Sequence, residues 1–225
     1  MDIDWVISVF VFIVFISWAL SYYFAIFQEN ASQFETAAEA GQKNIMDFVS
    51  TDAYEAPVRY YSNGPVTNGV LKAKSVWYSG EKNSTMVFAG GSPLPCRIDG
   101  DDLYWQADLS AGYNYFTITT ADVNTTMNCT ASFAISSFNL TVPGVLEKKT
   151  MISLTKINGM ANMSYAESKV LLGANQNFRL KLETAGGETV YGKSIPSGPV
   201  NVNSKKTEWK IYETHENANI TVAVW

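Results

Sequence analysis

The chain of 225 residues holds one histidine and two cysteines, so the side chains that most often perform nucleophilic, acid–base or metal chemistry are scarce. His215 lies in the polar stretch 213–219, which reads as an exposed turn, and its neighbours supply neither a nucleophile nor a metal partner. Cys96 and Cys129 could form a disulfide or remain two buried thiols. A Cys–His nucleophile would need one of those thiols free. Asp99-Gly100-Asp101-Asp102 gathers carboxylates suited to a hard cation, yet it lacks the later glutamate of a helix–loop–helix calcium site and reads as an acidic β-turn. Tyr60, Tyr61, Trp77, Tyr104, Trp105, Tyr113 and Tyr115 could line a sugar-binding face, although in strands such residues more often fill cores and cross-strand pairs. Zinc spacings, phosphate-cradling glycine loops and nucleophile elbows are absent from the sequence. The residue inventory therefore predicts no catalytic site, no cofactor and no metal.

Charge and hydropathy are more informative. The chain has 47% hydrophobic and 16% charged residues and a net charge of −5. All of that net charge lies in residues 1–42, which hold Asp2, Asp4, Glu29, Glu35 and Glu39 and no basic residue. The rest is balanced, which argues against sequence-tolerant nucleic-acid binding because that requires a basic surface. An aromatic content of 13% argues against disorder.

Trp5 to Phe27 contains no charge, glycine or proline. As a helix this stretch spans roughly 35 Å, enough to cross a hydrocarbon core. A lone segment in lipid satisfies its backbone only as a helix, and Trp5, Tyr22 and Tyr23 are placed as interfacial anchors. The helical pattern continues through residues 28–49, where Phe34, Ala38, Gly41, Ile45, Phe48 and Val49 recur at spacings of three and four. One helix over residues 1–50 is predicted, apolar all round over 5–27 and amphipathic over 28–49.

After Pro57 turn residues punctuate short apolar runs. Candidate strands are 70–78, 86–89, 103–107, 113–119, 132–142, 151–157, 178–184, 207–213 and 220–225, with a short helix at 165–172. The expected fold class is α+β: a long N-terminal hydrophobic α-helix followed by an antiparallel β-sandwich-like head over residues 56–225. The stretch 143–150 could divide two β layers or subdomains.

Seven Asn-x-Ser/Thr sequons, at Asn30, Asn83, Asn124, Asn128, Asn139, Asn162 and Asn219, suggest an exported body. Asn30 lies too near the apolar helix to be a good acceptor, which leaves the other six as candidate N-glycosylation sites. The first basic residue is Lys43, so neither flank of the apolar stretch carries the positive charge that normally marks the cytoplasmic side. A short basic leader, removed before Met1, would reconcile the two observations.

The layout of Met1–Phe27, Gln28–Val49 and the β-rich remainder resembles a type IV pilin, and the sequons and β head resemble the archaeal pilins and archaellins. That resemblance implies a structural subunit of an extracellular filament on the cell surface. Its partners would be identical subunits in a helical homopolymer, a membrane before assembly, and a pilin-processing peptidase with assembly machinery. The polymerising stripe would be Trp5, Val9, Phe12, Ile13, Ile16, Leu20 and Phe24. Bacterial members carry glutamate at the fifth mature position; Trp5 stands there, so Asp4 or Asp2 would make the contact to a neighbour's N-terminus. The competing expectation is a single-pass membrane-anchored surface binding protein that does not polymerise.

Overall fold

The computed structural model describes residues 3–74, 84–123, 129–135, 137–198 and 200–225, with backbone alone for 3, 4, 6 and 27–31. Its first element, α1 (Ile3–Val49), is one uninterrupted helix of 47 residues, roughly 70 Å long at the standard rise. The second half packs by the expected stripe. Ala38, Ile45 and Val49 are fully buried, with Phe34, Met46 and Phe48 partly buried against the same core. The helix runs close to the body at Gly41, where a Cβ would lie 3.8 Å from both Val224 and Gln176, an ordinary contact distance. Gln42, also buried, donates from Nε2 to the carbonyls of Asn203 at 3.1 Å and Val222 at 3.3 Å.

The helix passes without a loop into β1 (Ser50–Ser62). A distant residue caps its exit, the Ser153 amide donating to the Val49 carbonyl at 2.9 Å, and Asn44 Nδ2 donates from the helix to the Leu172 carbonyl at 3.0 Å. β1 is the longest strand, and it runs straight through Pro57. β1 thus begins six residues before the expected start of the head at residue 56. Proline is tolerated because the pairing of β1 with β9 (Glu147–Ile152) ends at Glu55, so the ladder on that side makes no demand on a Pro57 amide.

Three sheets form the body. The first has the order β4 (Ser92–Leu94), β3 (Thr85–Ala89), β7 (Gly112–Ala121), β1, β9. The second has the order β5 (Cys96–Asp99), β6 (Asp102–Leu109), β2 (Val66–Lys74), β8 (Asn139–Thr141). These two enclose a common core in which Val58, Val87, Phe116 and Ile118 of the first sheet meet Leu71, Leu103 and Trp105 of the second. The third sheet comes later in the chain, with order β11 (Gly187–Gly192), β10 (Phe178–Thr184), β13 (Asn217–Val224), β12 (Asn203–Lys210). Its core is the one that receives α1, through Phe178, Leu180, Ile220, Val222 and Val224. The body is thus β-rich and mainly antiparallel; among the described residues β2 and β8 pair in parallel, and a parallel bridge joins Ile152 to Ile211.

Two expected strands are corrected. The run 151–157 divides into the end of β9 and the helix α2 (Leu154–Ala161). Ser153 caps that helix by accepting from the Lys156 amide, and the buried carboxylate of Glu213 accepts from Ser153 Oγ and from the amides of Leu154 and Thr155. An anion at the open end of a helix satisfies donors that otherwise lack partners. Of 132–142, only Asn139–Thr141 is a strand among the described residues. The short helix α3 (Tyr165–Leu171) does form, started by a capping box between Ser164 and Glu167. The expected strand 70–78 extends into residues 75–83, which lie outside the described part, as does Trp77.

Candidate assembly surface and the joints of the head

Among its described residues, the apolar half of α1 is not buried against the body. Ile7–Ile26 is long and apolar enough to span a membrane, with mean hydropathy 2.2, and none of it is buried within the chain. From Trp5 to Ile26 the described large apolar side chains are between 36% and 68% exposed. Trp5, Val9, Phe12, Ile13, Ile16, Leu20 and Phe24 fall along one stripe at helical spacing. The opposite face is equally apolar: Phe15, Trp18 and Tyr22 run along it with ring centroids 6.2 Å and 5.8 Å apart. Left in water this surface forfeits roughly 20 kcal/mol of burial free energy. Ser8, with Ile7, Val11, Phe12 and Phe15, lines a shallow open hollow of about 460 Å³ on this surface. The side chain of Asp4 and the whole of Asp2 lie outside the described residues.

The remaining candidates are structural in their surroundings. Cys96 and Cys129, 33 positions apart, form a disulfide, which ties β5 to the segment after β7 and leaves no thiol for a Cys–His nucleophile. A crosslink closing a loop of that length stabilises by about 4 kcal/mol through the unfolded chain. The acidic turn joins β5 to β6; Asp102 pairs with Lys72 at 2.6 Å and Asp99 with Arg97 at 3.6 Å. No group of three potential metal ligands occurs among the described residues.

His215 is not exposed, contrary to its polar sequence context. Its side chain is only 6% exposed, and its ring stacks on Phe88 at 4.2 Å. Nε2 lies 2.7 Å from Glu55 Oε1 and 3.0 Å from Thr119 Oγ1. Glu55 also accepts from Lys149 at 2.5 Å and Lys210 at 2.9 Å. Desolvation pushes its carboxyl pKa up, but the hydrogen bonds from His215, Lys149 and Lys210 outweigh it and hold the group far below the usual carboxylate range. This cluster fastens β1 and β9 of the first sheet to the β12–β13 hairpin of the third. Spacing could not reveal it, because its members lie up to 160 residues apart.

Of the sequon asparagines, Asn139, Asn162 and Asn219 are exposed; Asn83, Asn124 and Asn128 lie outside the described residues, and only the backbone of Asn30 is described. The aromatics divide. Tyr104 and Trp105 are buried, Tyr60 is partly buried against the core, and Tyr61, Tyr113 and Tyr115 are exposed on one sheet face.

No protein-family model, curated protein or solved structure matches this chain.

Proposed function

We propose that this chain is a structural subunit of an extracellular, type IV pilus-like filament of the archaeal pilin or archaellin kind, polymerising through the apolar half of α1. One observation carries the reading: a single unbroken helix is cemented to the head over 34–49 and stands free, apolar on all sides, over 7–26. Such a rod is stable in lipid or among copies of itself. Moving from bilayer to filament exchanges lipid contacts for helix contacts, so the hydrophobic term nearly cancels and packing decides. The shallow hollow at Ser8 and the small residues Ser17, Ala19, Ser21 and Ala25 favour close approach, while the surrounding Phe and Ile side chains fill the gaps. Each subunit offers one patch and receives at another, so contacts propagate as an open helix.

In this reading the head is sandwich-like, faces outward, and carries glycans at accessible sequons such as Asn139 and Asn162. No catalytic role is assigned to it. Shearing the cell surface, imaging the released material by negative stain and identifying its peptides tests the proposal: filaments built of this chain are expected. Recovery of the chain only as discrete particles after detergent extraction would instead support the second reading, a non-polymerising surface protein anchored by Ile7–Ile26, whose length alone suits a bilayer.

A further inference from the structure

Beyond Glu55 on one side and Thr117 on the other, the ladders to β9 and β3 end and β1 and β7 continue as a paired ribbon, held at Pro57–Val58 by the segment Pro143–Gly144, whose Gly144 amide donates to the Pro57 carbonyl at 2.7 Å. Its inner residues Val58, Tyr60 and Phe116 pack on the core shared by the first two sheets, so the ribbon is held firmly from beneath. Its outer face pairs Arg59 with Tyr115 and Tyr61 with Tyr113. Tyr115 is 65% exposed, and Tyr61 and Tyr113 are each 56% exposed. The last two rings meet edge-on at 5.1 Å, and the Arg59 guanidinium lies over the Tyr113 ring at 4.9 Å. Leu140 and Val142 form the opposite wall of a groove of about 750 Å³ that includes Arg59, Tyr61 and Tyr115.

Three features select an occupant. Tyrosine offers an apolar ring with a polar tip, which suits molecules with apolar faces and hydroxylated rims. No carboxylate lines the groove, and Arg59 pairs with none among the described residues, so its guanidinium edge is open for a planar anion bound through two hydrogen bonds. The groove's twelve lining residues fall short of the 20–30 that each side of a stable protein interface takes, whereas its volume is within the range of small-ligand sites, roughly 300–1,000 Å³. We propose that this groove binds an acidic saccharide, a uronic-acid-bearing glycan, with a sugar ring stacked on Tyr115 and its carboxylate held by Arg59. The proposal goes beyond the filament reading and does not depend on polymerisation.

The test uses the full-length chain in detergent, probed with oligogalacturonate and with its neutral methyl ester, alongside a panel of other uronate, sulfated and neutral oligosaccharides. The expected result is binding of uronate oligomers that weakens at least about tenfold in the methyl ester, in Tyr115→Ala and in Arg59→Gln, since a charge-assisted bidentate pair or a stacked ring is worth that much. Tyr115→Phe keeps the ring and retains binding. Both side chains are exposed, and unchanged unfolding temperatures confirm that the variants fold. Failure of every acidic glycan to bind at millimolar concentration would overturn the proposal, as would binding indifferent to both substitutions. So would a change in particle size on Tyr115→Ala without glycan binding, which would make the groove a contact between copies.

Discussion

The two halves of α1 share a backbone and a helical period but differ in fate. Residues 34–49 bury one stripe and leave Glu35, Glu39 and Lys43 in solvent; residues 7–26 bury nothing and carry no charge. An apolar stripe about a third of the way round a helix finds its partner inside the chain. An apolar surface all the way round has no room on a body of this size and requires an external partner, whether lipid or a copy of itself. The border between an intramolecular and an intermolecular surface is therefore drawn by where charges begin to interrupt the helix.

The strongest way to break this comparison is to introduce a charge into the free half. Val11→Asp or Ile13→Lys is expected to abolish filament formation while leaving the unfolding temperature of the head unchanged, read by electron microscopy and calorimetry on the same preparations. A charge at the centre of an apolar helix costs about 3 kcal/mol or more in lipid, and a packed helical lattice repeats that cost in every subunit. Filaments of normal yield would refute the assembly surface. Next in size, Ile45→Ala, at a fully buried site, should destabilise the head by about 2–4 kcal/mol, whereas Ile13→Ala should leave head stability within about 0.5 kcal/mol. Similar effects from the two truncations in thermal unfolding would erase the distinction between the halves.

A smaller effect concerns the joint that lets the cemented half hold the whole head. Glu55→Gln should cost about 2 kcal/mol near neutral pH, the scale of hydrogen bonds to a charged group. Because the folded-state pKa of Glu55 lies below its ordinary value of 4.5, its stabilisation is fully present above about pH 4.5. It is lost as pH falls from there toward the folded-state value. The gap between wild type and variant in chemical denaturation should accordingly narrow on acidification; a gap that is independent of pH would show that the ion cluster is not its source. Glu183, held at about 2 by Lys206 and Lys181, loses its paired state over the same acid range, so the comparison is made against wild type at each pH. Smallest of all, Gly41→Ala should stabilise the cemented half by up to about 1 kcal/mol, since the added methyl meets Val224 and Gln176 at ordinary contact distance. Destabilisation in urea titrations would mean the helix sits closer to the third sheet than this spacing allows.

Periodic features were legible in the residues alone. The helix, its switch from uniformly apolar to striped, β10 with its alternating Phe178, Leu180 and Leu182, and the short helix α3 are all set by neighbours within a few positions. The misreadings have a common cause. Pro57 punctuates the sequence, yet β1 passes through it because β9 stops pairing two residues earlier. The run 151–157 is apolar enough for a strand, yet Glu213 turns its second half into a helix from about 60 positions away. The polar neighbours of His215 suggest solvent, yet Phe88 and Glu55 enclose it. Among the aromatics, spacing could not separate Trp105, which fills the core, from Tyr115, which faces outward.

Residue order by itself determined the long helix, the β-rich character of the remaining chain and the concentration of net charge in the first 42 positions, because periodicity and composition act over a few residues. Tertiary structure alone decided that three sheets divide the strands, that a proline sits inside the longest of them, that Cys96 meets Cys129, and that a buried glutamate gathers two lysines and the single histidine. Those outcomes depend on which desolvated groups find partners across a hundred residues of chain, and a buried polar group is stable only where such a partner is brought to it.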